Sequence, residues 1–132
     1  MENLINDNFV NVSFKHFIEA LKRVQEMYSI IRESTTPWQD IDHEEGSSYY
    51  LAGHPGFMGF ALSADGELTS VFSAIRGKGD ILMNEAIKRG ACHLDCFDGY
   101  LPKFYAKHGF QVVRREANWT PGEPDVCFME RI

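Results

Sequence analysis

The residues best placed to do chemistry lie in Ala74-Ile75-Arg76-Gly77-Lys78-Gly79-Asp80, a glycine-rich basic turn between a run of β-branched and apolar residues and a helical pattern. Such a turn suits an anion. Glycine lets the backbone come close to a ligand, and free N–H groups at a helix start carry partial positive charge. Arg76 and Lys78 could equally be solvated turn cations; the helix beginning directly beyond them raises the anion site above that reading. The turn is neither a dinucleotide fingerprint nor a P-loop, because neither G-x-G-x-x-G nor G-x-x-x-x-G-K-[ST] occurs. Further on, Cys92-His93-Leu94-Asp95-Cys96 offers His93 and Asp95 on one face of a strand as acid/base candidates, although such residues more often serve packing or hydrogen bonding. Cys92 and Cys96 would stand about 13 Å apart on an extended strand, too far for a disulfide or one tetrahedral ion. Cys127 is remote in sequence, so three buried, reduced cysteines and no metal centre are expected.

Several elements must position these groups. Residues 9–12 read as a short strand, and Ser13 then caps a long helix on which Phe14, Phe17, Ile18, Leu21, Val24, Tyr28 and Ile31 recur at steps of three or four, a packing face. Thr36 and Pro37 predict the cap and first position of a brief second helix. Residues 39–48 form an acidic loop with Asp40, Asp42, Glu44 and Glu45 around His43, which by default is a solvated face. Residues 48–51 and 57–62 read as strands joined by a turn at Gly53-His54-Pro55-Gly56. Asp65-Gly66 predicts a type I′ turn into the strand at 67–73. A helix over 79–89 with Leu82, Met83, Ala86 and Ile87 inward is followed by a strand at 91–97 and a helix from Asp98 to His108 that ends at Gly109. On that second helix Leu101, Phe104, Tyr105 and His108 share a face, with His108 expected at the surface or capping the end. Strands at 110–116 and 125–132 close the chain around a loop carrying Trp119.

Arg76-x-x-Gly79 follows a strand, and Asp98 stands seven residues before Tyr105 in Phe104-Tyr105-Ala106-Lys107-His108-Gly109-Phe110. On these motifs residues 67–110 resemble the GCN5-related N-acetyltransferases, the GNAT family. The family's patterns are (Q/R)-x-x-G-x-(G/A) and N-x-x-A-x-x-F-Y-x-K-x-G-F. The Phe-Tyr-x-Lys-x-Gly-Phe stretch is the strongest part. Two departures matter: Ile81 stands in place of a small residue and Asp98 in place of asparagine.

The resemblance implies an α/β fold with a mixed, mostly antiparallel central sheet flanked by helices, splayed between two central parallel strands, 67–73 and 91–97. It implies one acyltransferase domain over residues 1–132 that uses acetyl-coenzyme A as co-substrate and acetylates an amine of a small molecule or protein. The coenzyme's diphosphate would meet Arg76, Gly77, Lys78, Gly79, Asp80 and Ile81, and its pantetheine arm would pair with the backbone of Val71, Phe72 and Ser73, with Asp98 and Tyr105 completing the site. An N–H near Phe72 would stabilise the oxyanion, and Tyr105 would be the general acid that protonates the departing thiolate. Without the resemblance, Tyr105 is a core-edge aromatic. Glu67, Asp95 or water are candidates for the base, the 39–48 carboxylates would attract an amine, and Trp119 would overhang the acceptor pocket or else cover the core. Asp80 and Ile81 favour the rival reading, a weak or inactive module of this fold that acts through a protein partner.

Composition sets the remaining expectations. With 132 residues, 44% hydrophobic and 24% charged, the chain is one ordinary globular domain. Thirteen Lys and Arg against 19 Asp and Glu leave a formal charge of −6, which argues against a nucleic-acid partner and for a cationic one. No apolar run has the length to cross a bilayer and no export signal is seen, so no membrane association and a cytoplasmic location are expected, with a homodimer as a candidate assembly.

Overall fold

The computed structural model describes residues 8–52 and 56–132. The expected loose start of the chain and most of the Gly53-His54-Pro55-Gly56 turn lie outside the described residues. The remainder forms seven strands and four helices: β1 (Val10–Val12), α1 (Phe14–Met27), α2 (Ser29–Ser34), β2 (Ser48–Ala52), β3 (Met58–Leu62), β4 (Leu68–Ser73), α3 (Gly79–Lys88), β5 (His93–Phe97), α4 (Tyr100–Ala106), β6 (Phe110–Glu116) and β7 (Val126–Arg131). No helix among the described residues is long and apolar enough to cross a membrane.

The strands form two antiparallel sheets, β1-β2-β3-β4 and β5-β7-β6. They touch where β4 and β5 begin. A single parallel bridge joins Glu67 to His93, and the Gly66 carbonyl accepts from the N–H groups of Cys92 (2.9 Å) and His93 (3.3 Å). Beyond that point the strands separate, which is the splay the resemblance implied.

Both faces of the first sheet are covered, so β2 and β3 read as continuous apolar runs rather than alternating ones. Tyr49, Leu51, Ala61 and Phe72 pack with Phe17, Ala20, Leu21 and Val24 of α1, with the Phe17 and Phe72 rings edge to face at 5.8 Å. On the other face Tyr50, Met58, Phe60 and Leu62 meet Leu82, Met83 and Ala86 of α3, and the same cluster continues to Leu94, Tyr105, Phe110 and Met129 of the second sheet's half. One shared core therefore ties the two sheets together although their strands part.

Three local expectations are corrected. The long helix breaks at Tyr28, which adopts an extended conformation (φ −130°, ψ 108°) and is exposed rather than on the packing face. The break is set by Gln25, a buried polar side chain that donates to Thr35 Oγ1 and Thr36 O (2.8 Å each) and accepts from Trp38 N–H (3.1 Å), pulling the chain back across the helix end. The brief second helix after Pro37 is one 3-10 turn, Trp38–Asp40, with no side-chain cap from Thr36. The turn before β4 is not type I′, because Asp65 has no positive φ; Gly66 N–H donates to Ser63 O (3.1 Å) and Gly66 alone is left-handed (φ 94°), giving a type I turn with a glycine bulge.

Gly66 carries a further constraint, since a Cβ there would lie 2.5 Å from Cys92 Sγ and 2.9 Å from Gly90 O. Gly66→Ala should therefore destabilise the protein by about 1–3 kcal/mol, combining backbone strain with a wedge at the junction of the sheets. Thermal denaturation checks this; an unchanged midpoint would mean that the sheets' meeting point tolerates movement.

Candidate active site

From the Glu67–His93 bridge the two strands open into a cleft of about 600 Å³, walled by β4 (Leu68 to Val71) on one side and β5 (Asp95 to Phe97) on the other. Past the bridge β4 has no strand partner on its β5 side, so an extended ligand can add to its backbone there. Its register against β3 slips midway: Ala61 faces Thr69 and Gly59 faces Phe72, leaving Ser70 and Val71 opposite Phe60. This is a β-bulge, and Ser70 adopts a left-handed φ of 51°, the one positive value among the described non-glycine residues. The bulge leaves Ser70 and Val71 out of the β3–β4 register on the cleft wall. Ser73 ends the strand by accepting from Ile75 N–H through Oγ (3.1 Å).

Tyr105 of α4 lies in the cleft wall with only 8% of its surface exposed, yet its hydroxyl has no hydrogen-bond partner among the described residues. Its ring is fixed edge to face against Phe104 (5.3 Å) and Phe110 (6.1 Å), so the motif's aromatic residues aim the hydroxyl. Burial pushes the phenol up to about 12, with a smaller contribution from Cys96. The group is therefore neutral and a proton carrier throughout the physiological range.

The wall is acidic. Glu33, Asp42, Glu44, Glu67 and Asp95 line the cleft, and no Lys, Arg or His does among the described residues. Burial first, then the charge of Asp95, holds the Glu67 carboxyl above the usual carboxylate range. Its position is fixed at the bridge and by its own N–H donating to Ser63 Oγ (2.8 Å).

The basic turn enters α3 beyond the C-terminal end of β4. Lys78 is its N-cap residue and no side chain caps the first turn, so the helix's leading N–H groups are open to a ligand. Gly77 is left-handed (φ 80°) and faces open space, whereas a Cβ on Gly79 would lie 3.1 Å from the Phe104 ring. Gly79 thus serves the packing of α3 on α4. Asp80 accepts from or pairs with His108 Nε2 at 2.9 Å, which places His108 as a largely buried tie between the two helices rather than at the surface. Ile81 is 37% exposed.

Of the residues picked from sequence, Val71 and Tyr105 line the cleft, while Arg76 to Ile81 form the separate helix start and the Phe72 side chain points into the α1 core. Asp98 forms a 2.9 Å salt bridge with Arg115, whose hydrogen bond holds the Asp98 carboxyl below its ordinary range. Among the acid/base candidates Asp95 faces the cleft, whereas His93 approaches Asp65 at 3.5 Å. Cys92 is exposed instead of buried; Cys96 is half-buried and Cys127 buried, opposite each other in the β5–β7 register. Trp119 neither overhangs the cleft nor covers the core, being 95% exposed. Its loop closes on itself through Asn118 Nδ2 to Pro124 O (3.1 Å) and Thr120 N to Asn118 Oδ1 (2.9 Å), which leaves the indole outside. Sequence reasoning missed Glu33, whose place on an exposed helical turn carries no local signal.

No model of a known protein family and no curated protein matches the sequence. Solved structures do match, over almost the whole chain. An acyl-CoA N-acyltransferase from Pseudomonas aeruginosa superposes with a TM-score of 0.66 at 16% identity, covering 95% of this chain and 99% of its own. Aminoglycoside 6'-acetyltransferase type Ii gives 0.63 at 14%, covering 95% and 97%. An acetyltransferase of the GNAT family from Staphylococcus aureus Mu50 gives 0.55 at 11%, covering 95% and 99%. At these identities the likeness is one of fold, and the fold of this chain is that of the GNAT acetyltransferases.

Proposed function

We propose that the chain is an acetyl-coenzyme A-dependent N-acetyltransferase that moves an acetyl group to an amine of a small molecule or protein. The observation that carries this reading is Tyr105: a buried hydroxyl without a hydrogen-bond partner among the described residues, lining a cleft between two diverging strands. A buried polar group left unsatisfied is costly unless a ligand completes it.

The residues present fit the coenzyme. The unpaired side of β4 offers backbone groups to an amide-bearing arm, and the uncapped start of α3 with Arg76 and Lys78 offers N–H groups and charge to phosphates. Bound acetyl-coenzyme A would supply an activated acetyl thioester. Within the cleft, Glu67 takes a proton from the acceptor's ammonium or attacking nitrogen, helped by its raised affinity for protons. Backbone N–H groups beside the Ser70 bulge, toward Phe72, stabilise negative charge on the carbonyl oxygen. Tyr105 donates a hydrogen bond to the leaving sulfur. A proton on a group near 12 does not pass readily to a thiolate whose acid sits at about 8.5, so the Tyr105 hydroxyl would hold the leaving sulfur's charge by its hydrogen bond, and the proton that completes the thiol would come from solvent. Such chemistry fits a cytoplasmic enzyme.

Isothermal titration with acetyl-coenzyme A tests the first step. Binding should weaken at least about tenfold in Arg76→Ala/Lys78→Ala, since each charge contributes about 1–2 kcal/mol to phosphate and about 1.4 kcal/mol is tenfold in affinity. Unchanged affinity in the folded double variant would remove the turn from the site, and absence of binding to the parent would remove the proposal.

The rival reading, a binding module of this fold, has one observation of its own. Asp98, where the family pattern has asparagine, is tied to Arg115. It predicts coenzyme binding without turnover on any amine.

A further inference from the structure

The cleft's charge comes from two sets of elements. Glu67 and Asp95 lie on the diverging strands at and just past the bridge where the cleft begins, and Tyr105 of α4 lines the same cleft. Glu33, Asp42 and Glu44 come from α2 and from the loop that follows it, and all three are exposed. None of these three is in an ion pair among the described residues, so their charges face the opening uncompensated. Glu33 stands in the last turn of α2, where the helix's own partial negative charge disfavours a carboxylate and favours a cation. Arg32 beside it is occupied, donating from Nη1 to Gln25 O at 3.2 Å. The chain therefore keeps a destabilising arrangement in a cleft whose lining also holds Tyr105.

We infer that the acceptor is a small polycation, a molecule with two or more ammonium groups, of which one is acetylated beside Glu67 while the others pair with Glu33, Asp42 and Glu44. The inference rests on the reading of this cleft as the acetyl-transfer site. A volume of about 600 Å³ suits a small molecule, and the carboxylates of the strands are joined in its lining by a second set on different elements. A monoamine could use only the first. Deprotonation of one amine by Glu67 leaves the remote ammonium groups charged, so the rim contacts hold the acceptor in place through the transfer. Product loses one positive charge, which weakens its hold beside Glu67 and Asp95 and aids release.

The test compares kcat/KM for 1-aminobutane, 1,4-diaminobutane and spermidine at saturating acetyl-coenzyme A, with titration of spermidine into the coenzyme A complex as a readout independent of turnover. Spermidine should exceed 1-aminobutane at least about tenfold, the advantage should shrink as salt screens the rim, and Glu33→Gln/Asp42→Asn/Glu44→Gln should remove most of it. The three side chains are exposed, so the triple variant should fold, which thermal denaturation verifies. Equal efficiency on the monoamine would overturn the inference and leave acetyl transfer standing. So would a spermidine advantage that survives in the triple variant, or a lysine-containing peptide that outperforms spermidine. Carboxylate-dependent spermidine binding with no acetylation of any amine would uphold the polycation site while removing the transfer reading.

Discussion

Tyr105→Phe should lower turnover by on the order of 10² while leaving acetyl-coenzyme A affinity within a few-fold of the parent. The ring and its contacts with Phe104 and Phe110 are kept, and the hydroxyl that is lost has no hydrogen-bond partner among the described residues, so stability should be unchanged or slightly improved. A thiolate leaves tolerably well near neutral pH, which is why the loss stops near this size. The effect belongs on kcat. Steady-state kinetics beside a coenzyme titration separate the two, and parental turnover in Tyr105→Phe would withdraw the hydroxyl from the chemistry.

Glu67→Gln should cost about 10²–10³ in kcat/KM and should change the shape of the pH profile. Burial and Asp95 raise the Glu67 carboxyl, so the ionised form that accepts a proton fills only above the ordinary glutamate range. In the parent, kcat/KM should fall as pH drops through that raised value; in Glu67→Gln this limb should vanish. Stability moves the other way. A carboxyl whose folded pKa exceeds its unfolded one stabilises the fold at low pH and loses that contribution as pH rises, so the glutamine variant should be at least as stable as the parent at neutral pH. An unchanged acid limb in Glu67→Gln would transfer the base role to Asp95 or water.

The parts of this site that were legible in sequence are local ones. A strand, a glycine turn and a helix start lie within residues 67–89, and the turn's residue types reveal both its path and its charge. Likewise Phe104, Tyr105 and Phe110 lie within one helix and the strand after it, so their spacing alone predicts a shared aromatic cluster. What stayed hidden depends on partners distant in the chain or on backbone states that residue type does not announce. Serine seldom adopts the left-handed conformation, so nothing in Thr69-Ser70-Val71 signals the bulge. The helix break at Tyr28 is imposed by Gln25 reaching ten to thirteen residues ahead, against a periodicity that favoured continuing. Asp98 meets Arg115 only through the pairing of β5 and β6 on either side of β7, and Asp80 meets His108 only where α3 packs on α4. Glu33 joins Asp42 and Glu44 across two elements, and only the folded chain shows that they share one cleft with Glu67.

The central claim is that this cleft transfers an acetyl group, and the most direct measurement follows both products at once. The protein is incubated with acetyl-coenzyme A and spermidine; free thiol is titrated while the acetylated amine is quantified by mass spectrometry. The account predicts thiol and acetylated spermidine appearing together, one for one, at a rate that falls by about two orders of magnitude in Tyr105→Phe. Thiol released without acetylated amine, or no product of either kind from a protein that binds acetyl-coenzyme A, across spermidine, an aminoglycoside and a lysine peptide, would contradict it.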